Sequence, residues 1–350
     1  MKTMKFNRVL WNYLVPSLRA NHLPGKKRHN GGFTLTEILV SVVIAAIIMS
    51  GLMTLMVELL TSDARETART ETQREIQMAL EYISADIREA VFVYDGNCLD
   101  GETDACEGGL FNSINVPNNS VPVLAFWKLE DLPDAVLNGP CAANQPPNNI
   151  PCLSRRTYSL IIYYLTTNEG SNTWSGMARL QRAAYRQFDS TGGINGDYVS
   201  PMDMSFETWP GPDAGNVTIP SPVTLVDFVE ERSMMDLAGE GLSQINVAEI
   251  QVDCPPGYNL TPSDKTLSDH NFDGVRNFYA CILDEVGRRS QQRSAGGTQP
   301  DTAFNQRVIL FLRGNAAGKP GIRSANEGFM PAIQTQVLNR SVRQKSPRRF

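Results

Sequence analysis

Twenty consecutive residues, Ile38 to Val57, carry no charge and are almost wholly apolar. In a helix rising 1.5 Å per residue, such a run is about 30 Å long, which matches the hydrocarbon core of a bilayer. A segment like this constrains the fold more than any other feature of the chain. Its flanks differ. Immediately before it stands Gly31-Gly32-Phe33-Thr34-Leu35-Thr36-Glu37. Further upstream, residues 1–32 hold seven basic residues (Lys2, Lys5, Arg8, Arg19, Lys26, Lys27 and Arg28) and no acidic one. Basic flanks stay on the cytoplasmic side, so the C-terminal bulk is expected to be exported. An ordinary secretory signal has a shorter apolar region, with its small-residue cleavage site after it. Here the small residues come first. Cutting there would remove only the basic leader and leave the membrane helix as the new N-terminus. The one acid at the start of the run, Glu37, is costly in lipid and therefore marks a functional position.

Without the leader, the chain has 25 basic residues against 37 acidic ones, a net charge of −12. An acidic body argues against nucleic acid as a general partner. The end of the chain runs the other way, with Arg340, Arg343, Lys345, Arg348 and Arg349. It reads as a solvated tail or as a local contact with an acidic neighbour. The six cysteines allow fifteen pairings. Export favours disulfides, and nearest-neighbour pairing would join Cys98–Cys106, Cys141–Cys152 and Cys254–Cys281.

The chain divides into five expected stretches. Residues 1–32 form the cleaved leader, and 33–60 the membrane half of a long helix. Residues 61–93 form its amphipathic half, 94–339 an exported β-rich domain with long loops, and 340–350 a basic tail. No proline interrupts the stretch from Phe33 to Phe111. Beyond the apolar run, Ile76, Leu80, Ile83, Ile87 and Val91 recur at spacings of three and four, with Arg74, Glu75, Glu81, Asp86 and Arg88 between them. This predicts one helix from Phe33 to about Val93, roughly 90 Å long. The remainder reads as β. Val121–Leu129 and Tyr158–Thr167 are the clearest strands. In the second, both alternating faces are apolar, as expected of a central strand covered on both sides. Val223–Val229, Ile245–Asp253, Phe278–Asp284 and Val308–Arg313 are weaker candidates, and Met177–Phe188 fits either strand or helix. Polar insertions at 139–151, 210–222 and 287–302 separate them. The expected class is α+β: a long N-terminal helix on an elaborated antiparallel sheet domain.

Gly32, Phe33 and Glu37 resemble the class III signal sequence of type IV pilins and type II secretion pseudopilins. The resemblance implies cleavage by a prepilin peptidase between Gly32 and Phe33, and methylation of the new Phe33 amine. It also implies an inner-membrane location before assembly and a pilus or cell-surface location after it. The implied partners are other major and minor pilins, met through the helix, and an inner-membrane assembly platform. The 318 residues left after such a cut exceed a typical major pilin. Arg74–Val93, with Leu80, Asp86, Ile87 and Arg88, is similar to the segment after the membrane helix in W-type minor pilins (PilW-like) and J-type pseudopilins (GspJ-like). Many major pilins have a proline midway along the membrane helix; Thr54 stands near that place here. The expected function is therefore a minor pilin that primes assembly at or near the tip. A type II secretion pseudopilin is the alternative, and a membrane-anchored adhesin or ligand binder is an alternative of another class.

Each junction residue has a physical reason. Gly32 lets a backbone approach a narrow cleft closely. The freed Phe33 amine is charged at neutral pH and can neutralise a Glu37 carboxylate on an adjacent subunit. Elsewhere, Asp269-His270-Asn271-Phe272-Asp273-Gly274 fits the first half of a calcium loop, with Asp269, Asn271, Asp273, the Val275 carbonyl and Asn277 as oxygen donors. Ala280 replaces the bidentate glutamate of an EF-hand, and an Asx-rich turn is the other reading. Catalysis finds little support, so no enzyme is expected. His270 is the one histidine outside the leader, and no nucleophile elbow or phosphate-binding glycine loop is present. Carboxylate pairs such as Glu230-Glu231 read as solvated.

Overall fold

The structure is a computed structural model that describes residues 32–101, 106, 108–143, 150–203, 206–211, 217–233, 236, 254–283, 304–322 and 329–341. The leader up to Gly31, the strand expected at Ile245–Asp253, the insertion at 287–302 and the tail from Val342 onward lie outside them. A single helix, α1 (Leu35–Arg88), opens the described chain. Two compact units divide it after Glu58.

In the N-terminal unit, α1 is exposed on every face, including Leu39, Val43, Ile47, Met53 and Val57. From Leu59 onward the helix has one buried stripe: Ala68, Thr72, Ile76, Ala79, Leu80, Ile83 and Ile87. These are the spacings of a single helical face. Full burial of Ile76, Leu80, Ile83 and Ile87 stabilises the fold by about 1.5–3 kcal/mol each. The helix stops at Arg88, short of the end expected near Val93. Residues Ala90–Val93 form strand β1 instead. The Val91-Phe92-Val93 run is β-branched and aromatic, and it pairs with β2 through Phe92↔Trp127 and Val93↔Phe126.

Two antiparallel sheets follow, each in simple chain order. The first contains β1, β2 (Ser120–Asp131), β3 (Arg156–Thr167), β4 (Ala178–Tyr185) and β5 (Val223–Val229). The second contains β6 (Tyr258–Thr261), β7 (Phe278–Leu283), β8 (Phe304–Arg313) and β9 (Ala332–Ser341). The ambiguous 177–188 stretch is thus a strand, and the expected basic tail begins inside one, since Arg340 pairs with Asn305. Short helices α2 (Gly96–Asp100), α3 (Asp134–Asn138) and α4 (Asp264–Asp269) lie between the strands.

Central strand β3 explains the core. Ile161, Tyr163 and Leu165 join the α1 stripe and the inner face of the second sheet (Phe278, Ala280, Ile282, Val308, Leu310 and Leu312) in one cluster. Tyr158, Leu160, Ile162 and Tyr164 point the other way, into a second cluster closed by loop residues. Phe111, Phe206, Trp209, Val217 and Ile219 are among those covers. The insertion expected as polar at 210–222 therefore packs its apolar members against the sheet. Trp127 donates to the Tyr94 hydroxyl at 2.9 Å, and that hydroxyl donates to the Phe206 carbonyl at 2.6 Å. The three disulfides are Cys98–Cys106, Cys141–Cys152 and Cys254–Cys281.

A buried ion cluster ties α1 to the first sheet. Asp86, expected among the polar positions, is only 8% exposed. Its Oδ1 accepts from Lys128 Nζ at 2.9 Å, and its Oδ2 from Arg182 Nε at 2.7 Å and the Tyr163 hydroxyl at 2.8 Å. Lys128 lies 3.5 Å from Glu130, which also accepts from Ser159 and Arg186. Burial alone would push the Asp86 and Glu130 carboxyls up. The bonds from Arg182, Lys128 and Tyr163 to the first, and from Arg186 and Ser159 to the second, hold both below their ordinary values.

The segment Gly314–Ile322 lies along the same face of α1, nearer the helix's N-terminus. A Cβ on Gly314 would stand 2.7 Å from Ile76 Cγ1, and one on Gly321 would stand 3.0 Å from Ala64 and the Arg65 nitrogen. Arg65 Nε donates to the Gly321 carbonyl at 3.0 Å, and Lys319 Nζ lies 2.9 Å from both Glu75 oxygens. Ala68, Ala316 and Ile322 close a small apolar cluster between them.

Replacing Asp86 with Asn removes the carboxylate that Arg182 pairs with in this low-dielectric site and leaves Lys128 only its longer contacts to Glu89 and Glu130. It is expected to lower unfolding stability by about 3 kcal/mol, read from denaturation of the detergent-solubilised chain. The same measurement as a function of pH tests the sign. The stabilisation from Asp86 and Glu130 is complete above about pH 5, where both carboxyls are ionised even in the unfolded chain, and falls away as pH drops through the ordinary carboxylate range to their depressed folded values.

Candidate functional site

The start of α1 is built from four residues. Gly32, Phe33 and Thr34 lie outside any helix, and Leu35 begins the first turn. The Thr34 carbonyl accepts the Glu37 and Ile38 N–H groups at 3.1 and 3.2 Å. Its Oγ1 accepts the Glu37 N–H at 3.3 Å and lies 3.2 Å from Thr36 Oγ1. Thr34 is therefore the N-cap, meeting one of the donors that every helix start leaves orphaned. Sequence reasoning missed this role, although Thr34-Leu35-Thr36-Glu37 has the T-x-x-E spacing of a capping box. Only half of the box is made. Among the described residues, no group bonds the Glu37 carboxylate, which is exposed one turn above Phe33. The positive end of the helix dipole favours an anion at this place by about 0.3–1 kcal/mol. The carboxylate is thus positioned at the helix start and unbonded among the described residues.

The span itself has little polar surface to satisfy. Ser41 Oγ donates to the Glu37 carbonyl at 2.7 Å, and Thr54 Oγ1 to the Ser50 carbonyl at 2.9 Å. Such back-bonding removes the cost of a hydroxyl in lipid. The helix continues unbroken through Thr54. By length and composition α1 can cross a membrane, and none of its most apolar stretch is buried within the protein.

A family model, the prokaryotic N-terminal methylation motif, matches residues 27–53. The chain carries a prepilin-type signal. It is the signal of a type IV pilin-like or pseudopilin-like precursor, and it implies leader removal by a prepilin peptidase and assembly with other pilins. With the apolar helix, it describes a membrane-anchored protein bearing a C-terminal domain. No curated protein and no solved structure matches the chain.

The other expected site residues are placed as follows. Asp269 ends α4, Asn271 adopts a left-handed φ of 61°, and both are exposed, as is Asp273. Phe272 and Val275 turn into the core instead. Asn277 is fully buried; its Nδ2 donates to the Arg232 carbonyl and its own carbonyl accepts from the Arg313 N–H, each at 2.8 Å. Among the described residues, no group of three or more His, Cys, Asp or Glu side chains could hold a metal ion. Glu230, expected as a solvated acid, is fully buried. Arg232 Nε and Asn315 Nδ2 bond its carboxylate at 2.9 and 2.6 Å. Burial, and then the neighbouring Glu230 and Glu169 charges, push the adjacent Glu231 up.

An arginine in the middle of the span tests the membrane assignment. Ile47→Arg costs about 2.5–3.5 kcal/mol at the bilayer centre. The variant is expected to be released from membranes by alkaline carbonate, while wild type and Ile47→Leu stay in the pellet.

Proposed function

We propose that this chain is a minor pilin. A prepilin peptidase cuts between Gly32 and Phe33 and methylates the exposed Phe33 amine. The apolar half of α1 holds the product in the cytoplasmic membrane and then packs against other pilin helices in a fibre, at or near its tip, where the subunit helps prime assembly. One observation carries the reading: a prepilin-type signal leads into an apolar helix that is exposed all round, with a cap-positioned carboxylate at its first turn that has no partner among the described residues. A helix this apolar needs lipid or neighbouring helices on every side.

The role of Glu37 follows from electrostatics. An unpaired carboxylate inside lipid or a packed fibre is costly, by several kcal/mol. The Phe33 amine of an adjoining subunit neutralises it only when the two helices are in register. The pair thereby selects one axial offset. The length of the chain and the similarity of Arg74–Val93 to PilW-like proteins support the minor pilin over a major one. The same signal serves pseudopilins, so a type II secretion pseudopilin is the second reading. It is separated from the first by whether the protein is found in sheared pili.

Mass spectrometry of the protein from its native membranes is expected to give an N-terminus at Phe33, one methyl group heavier than the plain amine. A product that keeps residues 1–32 overturns the proposal. Glu37→Leu is expected to be cleaved and membrane-bound but absent from sheared fibres, as read by immunoblot of both fractions.

A further inference from the structure

We propose that Thr34 is a positioning residue for leader removal: by capping α1 it keeps the Gly32–Phe33 peptide outside the helix, where a peptidase can reach it. The inference rests on the cleavage reading given above. In that step, water adds its oxygen to the Gly32 carbonyl carbon and the bond to the Phe33 nitrogen breaks. Gly32 leaves as a carboxylate, and the Phe33 nitrogen takes a proton as an amine. The reacting carbonyl must be free of intrahelical hydrogen bonds and open to approach. That condition holds here because the first turn begins at Leu35, two residues past the scissile bond.

What fixes that boundary is Thr34. Its Oγ1 and its carbonyl both accept the Glu37 N–H, and an N-cap residue keeps a non-helical backbone. The residues upstream offer a competing boundary. Phe33 caps poorly, but Gly32 caps about as well as threonine does. If the Thr34 hydroxyl is lost, the helix start is free to move to Gly32. Phe33 then enters the first turn, and the Gly32 carbonyl accepts the Thr36 N–H. The scissile carbonyl is tied into the helix, and Glu37 no longer stands at the third helical position. The Thr34 hydroxyl thus sets the register between the bond that is cut and the carboxylate that follows it. The side chain acts through the backbone and needs no contact with the peptidase.

The test uses the full-length, unprocessed chain in membranes with a prepilin peptidase. The yield of product beginning at Phe33 is followed by mass spectrometry for wild type, Thr34→Val, Thr34→Ser and Thr34→Asn. Valine keeps the shape and loses the acceptor, whereas serine and asparagine cap as well as threonine or better. Thr34→Val is expected to be cut about fivefold more slowly, the size of effect a lost cap produces. Serine and asparagine variants are expected within about twofold of wild type. In Thr34→Val, amide hydrogen exchange is expected to slow at Thr36, where a new helical bond forms. Cleavage of Thr34→Val at the wild-type rate overturns the proposal. So does an asparagine variant as slow as valine, because the peptidase would then be reading the threonine side chain directly. Failure of the wild-type chain to be cut removes the cleavage reading itself, which separates the two failures.

Discussion

A helix satisfies its own backbone, and the rest of this protein depends on what one uninterrupted helix presents at successive levels. In hydrocarbon no water is available for a free N–H or carbonyl, so a closed backbone is the only spanning solution open to one short segment. Between Ile38 and Val57, α1 adds only apolar side chains and a few hydroxyls to that cylinder, and two of the hydroxyls fold back onto the helix itself. From Ala68 onward the same helix narrows its apolar surface to a stripe, which is buried against both sheets. The change in pattern lets one element serve two surroundings. It also explains why Ile76, Leu80, Ile83 and Ile87, spaced three and four apart, are among the least exposed of the described residues.

Apolar burial is non-directional, and a stripe of isoleucine and leucine does not fix how far a helix slides along a sheet. Asp86 supplies that direction. One carboxylate is held by groups on three adjacent strands, Lys128 on β2, Tyr163 on β3 and Arg182 on β4. Moving α1 by one turn, about 5.4 Å, would carry the Asp86 carboxylate out of reach of these donors. Such clusters are weak evidence for net stability, but they discriminate strongly against wrong packings.

The clearest parts of the fold were legible because they follow a period. Alternation along Tyr158–Thr167 assigned each side chain to a face, and the two core clusters divide at the same residues. The helical stripe was legible for the same reason, up to the point where it misled. Val91 continues the spacing from Ile87, yet a Val-Phe-Val run beside an open strand edge pairs more favourably than it coils. Strands β6 and β9 were missed because one is only four residues long and the other sets isolated apolar residues among glutamines. Asp86 and Glu230 carry no sign of burial in sequence, since their partners are up to 96 residues away. At the junction, the apolar run and Glu37 were plain, whereas Thr34 was passed over for want of a three-residue look-ahead.

The segment Gly314–Ile322 touches α1 at Ala64, Arg65, Thr72, Glu75 and Ile76, so its grip extends over three turns of helix. Beyond it the stripe continues to Ile87. A tug along the axis of this stretch would load these attachments side by side, as a lap joint does, rather than peeling them one after another. Rupture in such a geometry requires many bonds to fail together and is therefore slow. Whatever draws on this helix meets its resistance in two glycines that admit the helix closely and one lysine that clamps it.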